Sequence, residues 1–181
     1  MTWRIREGAE QGFSEIVLRN LDAAYNLARW LVRDPVQAED VVQDAVLRAL
    51  TYFQSYRGGN PRAWLLRIVR NTAYSALDSR QQGVRGMQTG EGLDGEDVRD
   101  LPDPGADPEA ALSVKQDMAR LEEALVALPP ELRECLVLKE LEELSYKEIA
   151  EVTGVPVGTV MSRLWRARQK LLGFAVEGGA R

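Results

Sequence analysis

The chain has 181 residues, with 23 Lys and Arg against 28 Asp and Glu, a net charge of −5 and 45% hydrophobic residues. This length allows one ordinary domain or two small ones, and the composition is that of a globular protein. Histidine is absent, which excludes histidine metal sites and catalytic triads, and the single Cys135 excludes an internal disulfide. No apolar run is long enough to span a bilayer and no signal peptide is visible, so we expect a cytoplasmic location.

Charge is distributed unevenly along the chain. Residues 57–82 carry five arginines and one aspartate, and residues 156–181 carry five basic groups and one glutamate. Residues 83–110, between them, carry eight acidic and two basic groups. Two basic segments in an acidic chain predict two separate surfaces that each bind phosphate weakly, or alternatively two solvated helix faces.

The N-terminal half has helical periodicity throughout. Apolar residues at helical spacing over residues 13–31 predict one helix, ended by Asp34-Pro35. A second amphipathic run covers residues 42–53, where Tyr52 and Phe53 are expected in the core. After the breaker at residues 58–61, a third helix follows, in which Trp64 also has a spacing that suits burial. The pattern predicts a small domain of three or four helices.

Glycine, proline and acidic residues dominate residues 83–109, which have few large apolar groups. This composition predicts a flexible acidic linker without a core of its own. Helical signal then returns over residues 110–174. Cys135 lies there among leucines, and we predict that it is a small core residue rather than a redox sensor.

The second helical segment contains a helix-turn-helix pattern. Ser145 and Glu148 form a predicted capping box that opens a short helix, Gly154 supplies a turn, and Pro156 starts a longer helix. The apolar stripe of the longer helix is Val160, Leu164, Ala167 and Leu171. The residues predicted on its opposite side are Thr159, Ser162, Arg163, Arg166 and Lys170. A basic helix of this kind suits the major groove of DNA, although plain helical hairpins also carry basic faces.

Several segments resemble the extracytoplasmic-function sigma factors, the small group of the sigma-70 family of bacterial transcription initiation factors. Residues 146–151 (YKEIAE), 154–160 (GVPVGTV) and 162–168 (SRLWRAR) are similar to their fourth conserved region. Residues 38–44 (AEDVVQD) resemble the family's polymerase-binding helix, and residues 63–73 (AWLLRIVRNTA) resemble its promoter-melting helix. The resemblance covers about residues 10–82 and 110–174.

The resemblance implies an all-α fold: two small helical domains joined by a flexible acidic linker, the C-terminal one a helix-turn-helix. The domains are expected at residues 1–82 (region 2) and 110–181 (region 4), with the linker at 83–109. It further implies a non-enzymatic specificity subunit whose partners are core RNA polymerase, promoter DNA and an anti-sigma factor. No cofactor, no metal and no membrane insertion are expected.

Functional residues are carried over by position. The predicted core-polymerase-binding residues are Asp40, Gln43, Asp44 and Leu47. The predicted −10 DNA-binding residues are Tyr56, Asn60, Arg67, Arg70, Asn71, Tyr74 and Ser75. The predicted −35 DNA-binding residues are Val157, Gly158, Thr159, Ser162, Arg163, Arg166 and Lys170.

The chain departs from the family pattern at two places. Many relatives have a basic run after the position of Asn71, where this chain has residues 76–82 (ALDSRQQ), and Met161 stands where relatives often have Lys or Arg. These departures predict either weaker binding of the DNA backbone near the −10 element or a different −10 preference, and one fewer phosphate contact near the −35 element.

Other interpretations remain open. A stand-alone helix-turn-helix regulator explains the second domain but leaves the resemblance of the first unexplained. A degenerate family member that binds polymerase without initiating is a further alternative, and an enzyme is the weakest because no paired carboxylates suggest a pocket. The acidic linker is either a nucleic-acid mimic or a solubilising tether.

Overall fold

The computed structural model describes residues 7–84 and 108–178, with side chains over residues 12–80 and 118–174. These ranges contain eight α-helices and no strand, so the all-α prediction is confirmed for them. The helices are α1 (Glu7–Arg19), α2 (Leu21–Val32), α3 (Pro35–Tyr52), α4 (Pro61–Val84), α5 (Pro108–Ala127), α6 (Pro130–Leu136), α7 (Tyr146–Thr153) and α8 (Val157–Gly178). Most of the predicted linker, residues 85–107, lies outside the described residues.

The prediction of one helix over residues 13–31 was wrong, because the chain breaks at Asn20. The Asn20 side chain donates a hydrogen bond to the carbonyl of Ile16 at 2.7 Å, and its backbone leaves the helical region, with φ −120° and ψ 12°. Asparagine bonds to nearby backbone in this way and so competes with a continuous helix. As a result Leu21 begins α2 on its outer side and is exposed.

Local capping explains where α3 begins. The Asp34 side chain accepts hydrogen bonds from the backbone N–H of Val36 at 2.9 Å and of Gln37 at 3.2 Å. Pro35 occupies the first helical position, where no backbone donor is needed. The N-terminal core then forms between α2, α3 and α4. Its fully buried side chains include Leu27, Ala28, Ala38, Ala45, Ala49, Leu65, Leu66, Val69 and Ala73.

An aromatic cluster holds the connection between α3 and α4. Phe53 packs edge-on against Phe13 with ring centroids 5.3 Å apart, and Tyr56 lies 4.8 Å from Trp64. Tyr52 was predicted to join this core but is 56% exposed, because it ends α3 on the outer face. The following Gly58 and Gly59 have φ of +88° and +103°, a region that residues with a Cβ rarely adopt.

The C-terminal half contains the predicted helix-turn-helix. The capping box is confirmed: Ser145 Oγ accepts from the Glu148 N–H at 3.3 Å, and Glu148 Oε2 accepts from the Ser145 N–H at 2.7 Å. Gly154 ends α7 in the left-handed conformation at φ +71°, which turns the chain into α8. The predicted apolar stripe of α8 is also confirmed, since Val160, Leu164 and Ala167 are buried and Leu171 is half-buried.

The two helical units pack against each other. Helix α4 contacts α7, and α2 contacts α6. Cys135 on α6 is fully buried, which confirms the prediction that it is a core residue. Among the helices of the described ranges, none has both the length and the apolar character required to cross a membrane.

Candidate nucleic-acid interface

The predicted −35 residues lie at the N-terminal end and along one side of α8. Val157, Gly158, Ser162, Arg166 and Lys170 are all exposed, and Thr159 is half-buried. Ser162 Oγ donates to the Thr159 carbonyl at 3.0 Å, and Arg166 Nε donates to the Ser162 carbonyl at 3.3 Å. These local bonds leave the strip facing outward, as a helix that enters a groove requires.

Arg163 is the exception among these residues. Its side chain is only 18% exposed, and its Nη1 donates to Oε1 of Glu134 on α6 at 3.2 Å. The residue was predicted on the outer side of α8, but it lies at the edge of that side and turns toward the helix-turn-helix core. In this conformation part of its guanidinium is engaged inside the protein.

Two large apolar side chains lie on the outer side of α8: Met161, noted above as a departure from the family pattern, and Trp165, which was missed as a candidate. Trp165 is 64% exposed and Met161 is 53% exposed. The position of Trp165 outside the apolar stripe of α8 was the signal that could have identified it. In a major groove, apolar side chains contact thymine methyl groups, so these residues add a different chemistry to the basic strip.

The predicted −10 residues on α4 fall into two groups. Arg67, Asn71 and Ser75 are exposed, and Ser75 Oγ donates to the Asn71 carbonyl at 2.9 Å. Arg70 and Tyr74 instead face α6. Helix α4 therefore presents only part of its predicted DNA surface to solvent.

Arg70 forms a two-point contact with Glu134. Arg70 Nε donates to Glu134 Oε2 at 2.8 Å and Nη2 donates to Oε1 at 3.2 Å, while the guanidinium lies 4.5 Å from the ring centre of Tyr74. Burial by itself lowers the pKa of Arg70, but the hydrogen bond and charge of Glu134 outweigh it and raise the pKa. Burial, reinforced by the charge of Glu134, also raises the pKa of Tyr74.

Tyr56 and Asn60, predicted to surround a flipped base, have structural partners in this conformation. The Tyr56 hydroxyl donates to the Gly59 carbonyl at 3.1 Å. The Asn60 side chain caps α4 by accepting from the N–H of Arg62 at 3.0 Å and of Ala63 at 3.1 Å. Its amide also donates to Glu148 on α7. Asn60 is thus bonded to both α4 and α7.

The predicted polymerase-binding residues share one surface. Asp40, Gln43, Asp44 and Leu47 are all exposed on α3 and line a groove of about 600 Å³ whose other wall is α4. Leu47 is 63% exposed although it is a large apolar residue. An exposed apolar group one helical turn beyond two carboxylates, on an open groove, has the composition of a protein-binding surface.

Comparison with known proteins identifies both halves. The Sigma-70 region 2 family matches residues 16–82, and the Sigma-70 region 4 family matches residues 118–171. The ECF RNA polymerase sigma-E factor of Escherichia coli (strain K12) is 32% identical over 93% of this chain and 88% of its own length. The chain belongs to the extracytoplasmic-function group of the sigma-70 family.

Other relatives agree with this membership. The ECF RNA polymerase sigma factor SigE of Mycolicibacterium smegmatis is 36% identical over 91% of this sigma factor, which spans 62% of that relative's length. Among solved structures, the sigma factor RpoE of Bartonella quintana, in complex with the anti-sigma factor NepR, is 30% identical. The match has a TM-score of 0.72 and covers 91% of this chain and 97% of RpoE.

Proposed function

We propose that this sigma factor binds bacterial core RNA polymerase and directs it to promoters, reading the −35 element as duplex and the −10 element as an opened strand. The observation that carries the proposal is the pair of polar helix surfaces, one on α8 and one on α4, on two family-matched units of one chain. Neither basic segment is large enough for tight binding alone. A polymerase that holds both on one promoter removes that requirement, because linked sites raise each other's effective concentration.

The roles follow from chemistry. Arg166 and Lys170 on α8 supply phosphate contacts, and the small Gly158 and Thr159 let the helix end approach the bases. On α4, Arg67 contacts backbone and Asn71 offers an amide to a base edge. Asp40, Gln43, Asp44 and Leu47 bind the polymerase. Because the polymerase supplies catalysis, the sigma factor needs no catalytic residues. We place its action in the cytoplasm.

An anti-sigma factor completes the proposal. The matched RpoE of Bartonella quintana was solved with the anti-sigma factor NepR, at a coverage that includes both helical units. We therefore propose that a protein inhibitor also controls this chain, and that it competes for the surfaces assigned above to polymerase and DNA.

Run-off transcription tests the function. Core RNA polymerase is incubated with a genomic promoter library, with and without the sigma factor. We expect transcripts that depend on the protein and disappear with Asp44→Arg, because a reversed charge in the groove repels the polymerase surface. Asp22→Arg is the matched control, since Asp22 is an exposed acidic residue on α2 outside the groove.

The alternatives give different results. Specific binding to duplex DNA with no affinity for core would make the protein a stand-alone helix-turn-helix regulator. Co-purification with core without transcripts from any promoter would make it a degenerate member. Loss of transcription in Asp22→Arg as well as Asp44→Arg would contradict the proposal that the groove binds polymerase.

A further inference from the structure

The outer side of α8 has two flanks of different chemistry. One flank is basic and carries the exposed Arg166 and Lys170. The opposite flank is apolar: Met161, Trp165 and Leu172 lie there and are 53%, 64% and 58% exposed. A helix with one basic and one apolar flank can make two kinds of contact within a single groove.

Helical spacing places Trp165 in line with the residues that are proposed to approach the bases. Trp165 follows Ser162 by three positions and Gly158 by seven, so the three lie along one strip of the helix surface. Gly158 has no side chain, and a Cβ added there would meet no atom within 4 Å. A helix that enters a groove by its N-terminal end lies farther from the bases at later positions. Beyond the small Gly158 and Ser162, Trp165 therefore has the length that a base contact at its position requires.

The ring of Trp165 is available to a ligand. Among the side chains that the structure describes, no aromatic ring or cation stacks on it. Arg168, three residues later, is instead bonded to Glu140 at 2.7 Å. Met161 precedes Trp165 by four positions, so the two are neighbours on the helix surface and extend one apolar area.

The apolar group that a base pair presents in the major groove is the C5 methyl of thymine. Contact with Trp165 would remove this methyl from water, which is favourable. The basic flank holds phosphates and carries no sequence information, so the apolar flank adds the discrimination that Arg166 and Lys170 lack. A thymine is favoured over a protein partner, because the apolar area adjoins Gly158 and Ser162, which DNA is proposed to occupy.

We propose that Trp165, supported by Met161, contacts the C5 methyl of a thymine, so that this sigma factor selects −35 elements with a thymine at that position. The inference rests on the proposed function, because it takes α8 as the −35 helix. It makes Trp165 a specificity-determining residue. Leu172 lies about two turns further on, beyond the predicted −35 residues, and has no such role.

Replacement of thymine by uracil tests the proposal, because uracil keeps every hydrogen-bonding group of thymine and lacks only the methyl. Duplexes are first selected from a random-sequence pool by the full chain, in parallel with and without core RNA polymerase. Each thymine of the selected site is then replaced singly by uracil. Fluorescence polarisation measures the affinity of the parent and of each variant for both duplexes.

We expect one thymine at which uracil weakens binding by the parent about fourfold, the effect of one buried methyl group. Trp165→Ala should bind the thymine and uracil duplexes equally, and Met161→Ala should lower the ratio to about twofold because half of the apolar cover is lost. Leu172→Ala is the matched control and should keep the parent's ratio. Trp165→Phe keeps an apolar ring and should keep most of it. Circular dichroism must show unchanged helix content in each variant.

Three results would overturn the proposal. A uracil effect of the same size in Trp165→Ala would assign it to the shape of the DNA. Selection that enriches no methyl-dependent thymine, with core or without it, would remove the contact. Unchanged site preference in Trp165→Ala would leave the apolar flank as a surface for a protein partner.

The two proposals fail separately. Run-off transcription without any uracil effect would keep the sigma-factor function and remove the methyl contact. A uracil effect in the selection without core, together with the absence of transcripts, would remove the sigma-factor function and keep the methyl contact.

Discussion

The two predicted DNA-reading helices differ in how much of their surface is available. On α8, Val157, Gly158, Ser162, Arg166 and Lys170 face solvent, whereas Thr159 is half-buried and Arg163 is drawn inward. On α4, Arg70 is bonded to Glu134 of α6 and lies over the ring of the half-buried Tyr74, and Asn60 in the preceding loop is bonded to α7. Three of the seven predicted −10 residues are exposed, against five of the seven predicted −35 residues.

This difference agrees with the two forms of DNA that the surfaces are proposed to bind. A duplex element is present before initiation, so a helix that reads it has a partner from the start. An opened strand exists only once polymerase has begun melting, and basic groups that are exposed earlier would bind nucleic acid nonspecifically. Fewer exposed groups on α4 reduce such nonspecific binding.

The largest expected effect is on the alkylation rate of Cys135, which directly follows Glu134. It tests whether α6 is covered. Burial, followed by the charge of Glu134, raises the pKa of this thiol from 9.0 to about 11. Thiolate is the reactive form, so alkylation by iodoacetamide at pH 8 should be about a hundredfold slower than in unfolded chain. The rate should keep rising with pH through about 11 instead of levelling near 9.

The measurement is the rate of mass gain in native buffer and in guanidinium chloride. Small model thiols in both solvents correct for the direct effect of denaturant. Fast alkylation of the native protein at pH 8 would show that α6 is uncovered in solution, and would break the contrast between a covered α4 and an open α8.

The next largest expected effect is on duplex binding by the exposed surface of α8. Arg166→Glu reverses an exposed charge on α8 and should weaken binding to duplex DNA about tenfold at moderate salt, because a phosphate contact becomes a repulsion. Arg168→Glu is the control, since Arg168 is two residues away and donates to Glu140 at 2.7 Å. Polarisation of a labelled duplex measures both. Equal losses would mean that general charge, and not this strip, carries duplex binding.

The smallest expected effect is on the salt dependence of duplex binding. It concerns Met161, which is exposed on α8 at a position where relatives often have Lys or Arg. Met161→Arg should restore one phosphate contact, steepen the plot of log affinity against log salt by about 0.9, and tighten duplex binding about fivefold at 0.15 M salt. Titrations at four salt concentrations give the slope. Met118→Arg is the control, because Met118 is an exposed methionine on α5. An unchanged slope in Met161→Arg would place residue 161 away from the backbone.

Local features of the fold were readable from the sequence because their causes are local. The Ser145–Glu148 capping box, the Asp34-Pro35 start of α3 and the Gly154 turn each depend on residues within a few positions. Periodicity likewise located the buried stripe of α8. It failed at Asn20 and Tyr52, where a single side-chain bond or the last turn of a helix decided the outcome.

The sequence by itself determined two helical units, a helix-turn-helix and the residue strings that resemble a sigma factor. Only the tertiary structure decided that Arg70 and Arg163 share Glu134, since these partners lie 64 and 29 residues from it. Helical periodicity assigns a side chain to a face but does not say what covers that face. In the sequence, Glu134 cannot be distinguished from an ordinary surface glutamate. Packing excludes water from its carboxylate, so that the neighbouring arginines must neutralise it.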